Sequence, residues 1–360
     1  MDSVFVFQAK GGRTVELIEP RDTRYRDAAF SSDGERIITL SDESGELEFV
    51  SLPANGIGDP SIITKNGDVL RYAGKPSPDG KWIAYDDLEN HMFILNIETG
   101  VSRLISNNEE RITSFNWSPD SRWISFGQKA DNTMEQILIY NLEEDASFPL
   151  TTDRANSSSS CWSPDGKFIY FISDRIFTTL VDGPWGPRQP EPYFDASEKL
   201  YHIALEKGSR SPFRPSDELF DEKSERKEKG DSIHVKIDRD GILERMVEVP
   251  ISAGNYRGLE VSGKAIYLMT GATDLNAKVH LGVLKVGSED VKIERFVDDV
   301  QSFEMTSDKK KILIRKRNDI YMVPAGTSKV GKIVSHKIDL KNWKIAITPR
   351  EDWKQIFTDA

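Results

Sequence analysis

Apolar and polar positions alternate along most of this chain in short runs, the two-residue period of strands that bury one or both faces. The clearest runs are Arg36-Ile37-Ile38-Thr39-Leu40, Lys81-Trp82-Ile83-Ala84-Tyr85, Arg122-Trp123-Ile124-Ser125-Phe126, Lys167-Phe168-Ile169-Tyr170-Phe171, Lys264-Ala265-Ile266-Tyr267-Leu268 and Lys311-Ile312-Leu313-Ile314. Each follows a turn. The turns read Ser32-Asp33-Gly34, Ser77-Pro78-Asp79-Gly80, Ser118-Pro119-Asp120-Ser121, Ser163-Pro164-Asp165-Gly166, the eroded Val261-Ser262-Gly263-Lys264 and the degenerate Ser307-Asp308-Lys309. Proline presets φ, the aspartate side chain bonds the backbone ahead of it, and glycine accepts the positive φ that closes a tight hairpin.

Aligned positions 33, 79, 120, 165, 262 and 308 are separated by 46, 41, 45, 97 and 46 residues. A period near 45 residues with four short strands per unit predicts an all-β fold built of propeller blades. Each unit reads as an inner strand, the turn, a second strand and two outer strands. Inner strands are expected over 26–31, 69–75, 112–117, 157–162, 256–261 and 301–306, and outer pairs over 92–97 with 102–105 and 136–140 with 148–150. At the N-terminus, 4–8 and 14–18 read as the outer two strands of a blade without its inner two. The expectation is a seven-bladed β-propeller: six anchored blades plus an N-terminal half blade.

The long interval points to an insertion over 182–230 within one blade, rich in proline (184, 187, 190, 192, 212, 215) and in mixed charge. Such composition lacks the apolar periodicity of a packed element. At the other end Thr348-Pro349-Arg350-Glu351 forms a capping pattern, and Trp353, Ile356, Phe357 and Ala360 follow at helical spacing. The expected organisation is a propeller over 1–342, then a linker and the start of a C-terminal helix over 343–360, the first of a downstream helical domain.

Composition narrows the function. The longest apolar runs have five residues, whereas a membrane-spanning helix needs about 20, so no membrane partner is expected. The N-terminus shows no basic and apolar leader. A net charge of -11 repels phosphate backbones, and no nucleic-acid partner is expected. The single cysteine, Cys161, excludes an intrachain disulfide and reads as a core thiol. A cytoplasmic setting is expected, with the periplasm left open. No nucleophile elbow, phosphate loop, dinucleotide fingerprint or zinc-protease motif occurs, and the five histidines are scattered. Asp238-Arg239-Asp240-Gly241 reads as a hairpin turn between strand-like runs 233–237 and 242–249, and Ser157–Ser160 as part of an inner strand. Trp82, Trp117, Trp123 and Trp162 sit at matching repeat positions and read as packing between blades, whereas Trp185 lies on the insertion. No catalytic, cofactor or metal residue is expected.

Three segments carry a resemblance. They are Pro192-Tyr193-Phe194-Asp195 leading to Lys199-Leu200-Tyr201-His202-Ile203-Ala204-Leu205; Pro250-Ile251-Ser252-Ala253-Gly254-Asn255-Tyr256; and Pro349-Arg350-Glu351-Asp352-Trp353-Lys354-Gln355-Ile356-Phe357. With the Ser-Pro-Asp-Gly turns they resemble the second, seven-bladed propeller of tricorn-type serine peptidases, running into the helical domain that follows. The resemblance implies a non-catalytic module that gates or channels peptides to a serine peptidase domain lying downstream, beyond the helix on which this chain ends. The implied partners are peptides or unfolded polypeptide segments and the remaining domains of the parent, whose homo-oligomeric state is left open. Two alternatives are a free-standing TolB-like scaffold for protein binding and the propeller of a dipeptidyl-peptidase-type enzyme. The inner-strand residues expected to line a channel are Arg26, Arg71, Lys75, Arg111, Arg257 and Gln301. They either solvate it or form a cationic lining that steers peptide carboxylates.

Overall fold

The structure is a computed structural model that describes residues 4–7, 14–17, 23–65, 67–108, 110, 112–176, 195–215, 217, 233–272, 277–340, 349, 350, 353 and 357. The chain divides into two compact units, Met1–Ile112 with Ile338–Ala360, and Thr113–Lys337.

In the first unit, β1 (Phe5–Phe7) and β2 (Thr14–Glu16) form an antiparallel ribbon. Blade one follows as β3 (Tyr25–Phe30), β4 (Arg36–Ser41), β5 (Glu48–Pro53) and β6 (Ser61–Ile62). Blade two is β7 (Lys75–Pro76), β8 (Trp82–Asp86), β9 (His91–Asn96) and β10 (Ser102–Asn107). Both are antiparallel meanders in chain order, with the first strand at one sheet edge. Leu40, Phe49, Ile83, Tyr85 and Leu95 fill the core between the two blades.

The second unit holds four more blades. Blade three is β11 (Phe115–Trp117), β12 (Trp123–Lys129), β13 (Glu135–Asn141) and β14 (Ala146–Pro149). Blade four is β15 (Ser157–Trp162), β16 (Phe168–Ser173), β17 (Lys199–Ala204) and β18 (Met246–Glu248). Blade five is β19 (Asn255–Val261), β20 (Ala265–Gly271), β21 (His280–Lys285) and β22 (Ile293–Val297). Blade six has three strands, β23 (Ser302–Met305), β24 (Lys311–Lys316) and β25 (Asp319–Pro324). Separate apolar cores join blades three and four, four and five, and five and six. This explains the continuous apolar second strands: β20, for example, buries Ala265, Ile266, Tyr267 and Leu268 on both of its faces.

The described residues give six blades, not seven. The N-terminal pair does form, but as a two-stranded ribbon, because the next strand in the chain, β3, already opens blade one. Val4 enters the core of blade one beside Tyr25, Ile37, Val50 and Leu52, with Val6 and Leu17 packed against it. The expected 182–230 insertion is also divided. Its middle holds β17, which pairs with β16 from Phe168↔Ala204 to Ser173↔Lys199 and is the third strand of blade four. Residues 182–194 and nearly all of 216–230, with Trp185, lie outside the described residues.

Candidate functional site: the inner strands

Five of the six hairpins that end the inner strands are stapled by one side-chain pattern. The hydroxyls of Ser31, Ser77, Ser118, Ser163 and Thr306 donate to Oδ1 of Asp33, Asp79, Asp120, Asp165 and Asp308 at 2.5, 2.5, 2.6, 2.5 and 2.7 Å. The same carboxylate oxygen accepts the N–H two residues on, at 3.0–3.2 Å. The hydroxyl in turn accepts the N–H that opens the second strand, at 2.9–3.1 Å. The Ser31 and Thr306 hydroxyls hold the carboxyls of Asp33 and Asp308 below the usual carboxylate range. In blade five Ser262 Oγ accepts from Ala265 N at 3.0 Å without an aspartate. In blades one and six the stapling hydroxyl is therefore Ser31 or Thr306, one residue before the serine expected from the motif.

The inner strands that these staples fix are the sheet edges. On β3, Arg26, Asp27 and Ala28 are exposed. Arg257 is exposed on β19, and Ser302 and Glu304 on β23. On β15, Ser158 and Ser159 are half-buried.

The expected lining residues that are described differ in their local surroundings. Arg26 and Arg257 point from their strands into solvent, opposite Leu40 and Met269 in the ladders. Lys75 is exposed on β7 opposite Ala84. Gln301 is exposed just before β23, with its N–H on the Arg315 carbonyl at 3.0 Å. Arg111 lies outside the described residues. Arg71 is committed elsewhere: its guanidinium bonds the Glu48 carboxylate, the Leu47 carbonyl at 3.0 Å and Thr64 Oγ1 at 3.2 Å. Glu48, only 3% exposed, also accepts from Thr64 and from the Gly67 N–H. This node shapes the expected 69–75 strand, which shortens to β7 plus an isolated Arg71↔Asp87 bridge.

Other sequence candidates resolve into packing. Ser160 donates to Ser125 Oγ at 2.9 Å, and Trp162 Nε1 donates to the same oxygen at 3.0 Å and to the Asn116 carbonyl at 3.2 Å. Trp123, Trp162 and Cys161 are buried in the cores beside blade four, while Trp82 and Trp117 are half-buried. The 233–237 run is not a strand: Val235 N–H goes to Asp120 Oδ2 at 2.8 Å. Gly241 then opens a 3-10 turn, Ile242–Arg245, and Arg245 holds the carbonyls of Ala204 and Asp240 at 2.8 and 3.0 Å. A hairpin between two strands is thereby replaced by a curled crossing into β18.

One functional-looking group was not legible in sequence. His202 is fully buried among the rings of Phe168, Tyr170 and Phe213, with Nε2 on Ser211 Oγ at 2.8 Å and Nδ1 without a hydrogen bond. Burial pushes its pKa down to about 4. Among the described residues no carboxylate hydrogen-bonds Nδ1, the position of the third member of a hydrolytic triad. Among the described residues no group of histidine, cysteine and carboxylates is arranged to hold a metal ion.

Antiparallel meanders of three or four strands, packed through shared apolar cores within each unit and each with its first strand at a sheet edge, are the blades of a β-propeller. Residues 3–326 match the family described as the tricorn protease second beta propeller domain, and the chain belongs to that family. It is 26% identical over 99% of its length to a Sulfurisphaera tokodaii protein whose given name is that of a tricorn-like protease C-terminal subunit, of which it covers 40%. It is 24% identical over 92% of its length to tricorn protease homolog 1 of Streptomyces coelicolor, of which it covers 33%. The chain thus spans well under half the length of these curated relatives. The crystal structure of the tricorn protease superposes on 99% of this chain and 34% of its own length, with a TM-score of 0.80 at 18% identity.

Proposed function

We propose that this propeller is a non-catalytic module of a tricorn-like serine peptidase, and that it admits peptides along its inner strands toward a catalytic domain elsewhere in the parent protein. The observation that carries the reading is the exposure of polar side chains on strands that in a packed sheet stack would otherwise be core: Arg26 and Asp27 on β3, Arg257 on β19, Glu304 on β23. Support comes also from the family and from the names of its members. The implied substrates are peptides or unfolded segments, which present an extended backbone. The implied setting is cytoplasmic, with the helix at Trp353 and Phe357 leading into the parent's next domain. The free-standing TolB-like scaffold gains no better support than this reading.

Photolabelling tests the proposal. A benzophenone side chain is placed at Arg257, and in a separate variant at Val101 beside outer strand β10, where the residue is 63% exposed. A biotinylated unfolded peptide should label the inner position far more than the outer one. Equal labelling at both positions removes the passage reading.

A further inference from the structure

His202 stands in an aromatic box on one face of blade four. In the sheet it is paired with Tyr170 on β16 and Val247 on β18. Its ring centre lies 5.4 Å from that of Phe168, 5.7 Å from Tyr170 and 5.9 Å from Phe213. The first two rings belong to the sheet. The third comes from the crossing between β17 and β18, whose 211–213 turn lies against the imidazole. Ser211 Oγ is 2.8 Å from Nε2 and accepts the Phe213 N–H at 3.3 Å, and the Ser211 carbonyl accepts the Arg214 N–H at 3.1 Å. Phe213, 4% exposed, packs edge-on to Tyr170 in the core shared with blade five. The turn is thus fastened to the sheet through the imidazole, by a hydrogen bond and a ring contact.

That fastening suits only a neutral ring. An imidazolium donates from both nitrogens, and here Nδ1 is buried without a hydrogen-bond partner. The titratable groups on the neighbouring strands are the Tyr170 phenol, which burial and the Asp165 charge push up, and the buried Cys161 thiol opposite Tyr170 on β15. Strand β18 presents Val247, and blade five adds Leu259 and Val261 to the same core. In the crossing, Arg210 and Arg214 are held by Asp217 at 2.8 and 3.2 Å. Burial, not a neighbouring charge, lowers the proton affinity of His202. A charge in such a box is costly without a counter-ion. Its least costly exit is through the 211–213 turn, because the other walls are strands of a four-stranded sheet. We infer that this turn is an acid-released latch: a proton on His202 lifts Ser211 and Phe213 from blade four and admits water to the ring, while the sheet stays folded. The release is bounded. The Lys207 N–H bonds Asp238 Oδ2 at 2.7 Å, and the Asp238 N–H bonds the Leu205 carbonyl at 2.9 Å, ties in which no histidine takes part. Val235 and Ile242 stay in the core on the opposite face. The stretch that lets go is 208–215.

Amide hydrogen exchange reads the latch directly, because the Phe213 and Arg214 N–H groups both end on Ser211. Corrected for intrinsic rates, their protection should fall about fiftyfold between pH 7 and pH 4.5. That is the change linkage gives when a group titrating near 6.5 in the open form is held at about 4 in the closed one. Amides of β16 and β17 should change by less than about threefold, since local opening leaves the sheet intact. In His202→Gln the fall should vanish. In Asp217→Asn, which removes the carboxylate that holds Arg210 and Arg214, it should remain. A flat profile in the unaltered protein, an equal fall along β16 and β17, or a fall that Asp217→Asn abolishes overturns the latch. So does a fall that persists in folded His202→Gln. The unaltered protein and Asp217→Asn decide the matter even where His202→Gln does not fold.

Discussion

A single hydroxyl decides where each blade hairpin closes, and the motif alone misplaces it in two blades. The Ser-Pro-Asp-Gly turns were legible because everything they need is local: proline, a short carboxylate and a residue that accepts positive φ lie within four positions. In blades one and six two hydroxyls stand side by side, and only the strand ladder distinguishes the one that staples. Ser31→Ala should therefore cost about 1 kcal/mol, whereas Ser32→Ala should stay within about 0.5 kcal/mol, as read from urea unfolding. Thr306→Ala and Ser307→Ala should repeat the contrast. The Glu48–Arg71 node was not legible, because its partners are 23 residues apart and nothing near Arg71 in the chain announces a buried acid. In the sequence His202 is likewise one of five scattered histidines. Its pKa is lowered to about 4 by burial, below the ordinary value near 6.5, so the unfolded chain binds a proton that the folded chain refuses. Stability is then full above about pH 6.5 and falls as the pH drops toward 4, by up to about 3 kcal/mol from this group alone. The difference in unfolding free energy between the unaltered protein and His202→Gln, measured at pH 7, 5.5 and 4.5, should shrink toward acid. A difference constant with pH would remove His202 as the titrating group.

Elements were legible where the period of two continued past the turn, and were lost where a side chain took over a backbone bond. The second strands and the outer pairs of blades two and three fall where alternation puts them. The inner strands of blades two and three are shorter than expected, and the Glu48–Arg71 node accounts for the first. Blade four shows why composition misled. Its proline- and charge-rich stretch reads as one excursion, yet β17 lies within it, because Leu200, Tyr201 and Ile203 are buried and the strand pairs with β16. The described residues between β17 and β18 are pinned on both sides of the same sheet. Phe213 enters the core shared with blade five, while Val235 and Ile242 enter the core shared with blade three. Phe213 and the 235–242 stretch thus anchor to opposite faces of that sheet. Phe213→Ala should cost about 3 kcal/mol, since it empties a buried site against Tyr170 and His202. Ile233→Ala, at a residue 48% exposed, should change stability by less than about 0.5 kcal/mol. Equal effects would mean that the crossing is held elsewhere.

At the scale of the whole molecule the charge pattern bears on how peptides are handled. The chain carries a net charge of -11, and a cationic inner lining within it would attract peptide carboxyl termini from a distance. The structure spends one of those cations on a buried acid and places acids on inner strands near others in the chain. Arg71 is spent on Glu48, Arg26 is followed by Asp27 on the same exposed strand, and exposed Arg257 has exposed Glu304 on the next inner strand. Glu260, also on β19, is bound to Lys309 at 3.0 Å. Opposite charges so distributed weaken the net field that reaches beyond the screening length of about 8 Å at physiological salt, and with it any selection of one peptide end over the other. An exposed pair contributes at most about 1 kcal/mol in any case. The expected outcome is a sieve: peptides with free-acid and amidated C-termini should bind with affinities within about fivefold of each other, and the ratio should hold between low and high salt. Titration of both peptide forms at the two salt concentrations decides it. A strong preference for the free acid that collapses at high salt would restore carboxylate steering, and would then identify Arg26, Lys75 and Arg257 as the cations to neutralise one at a time.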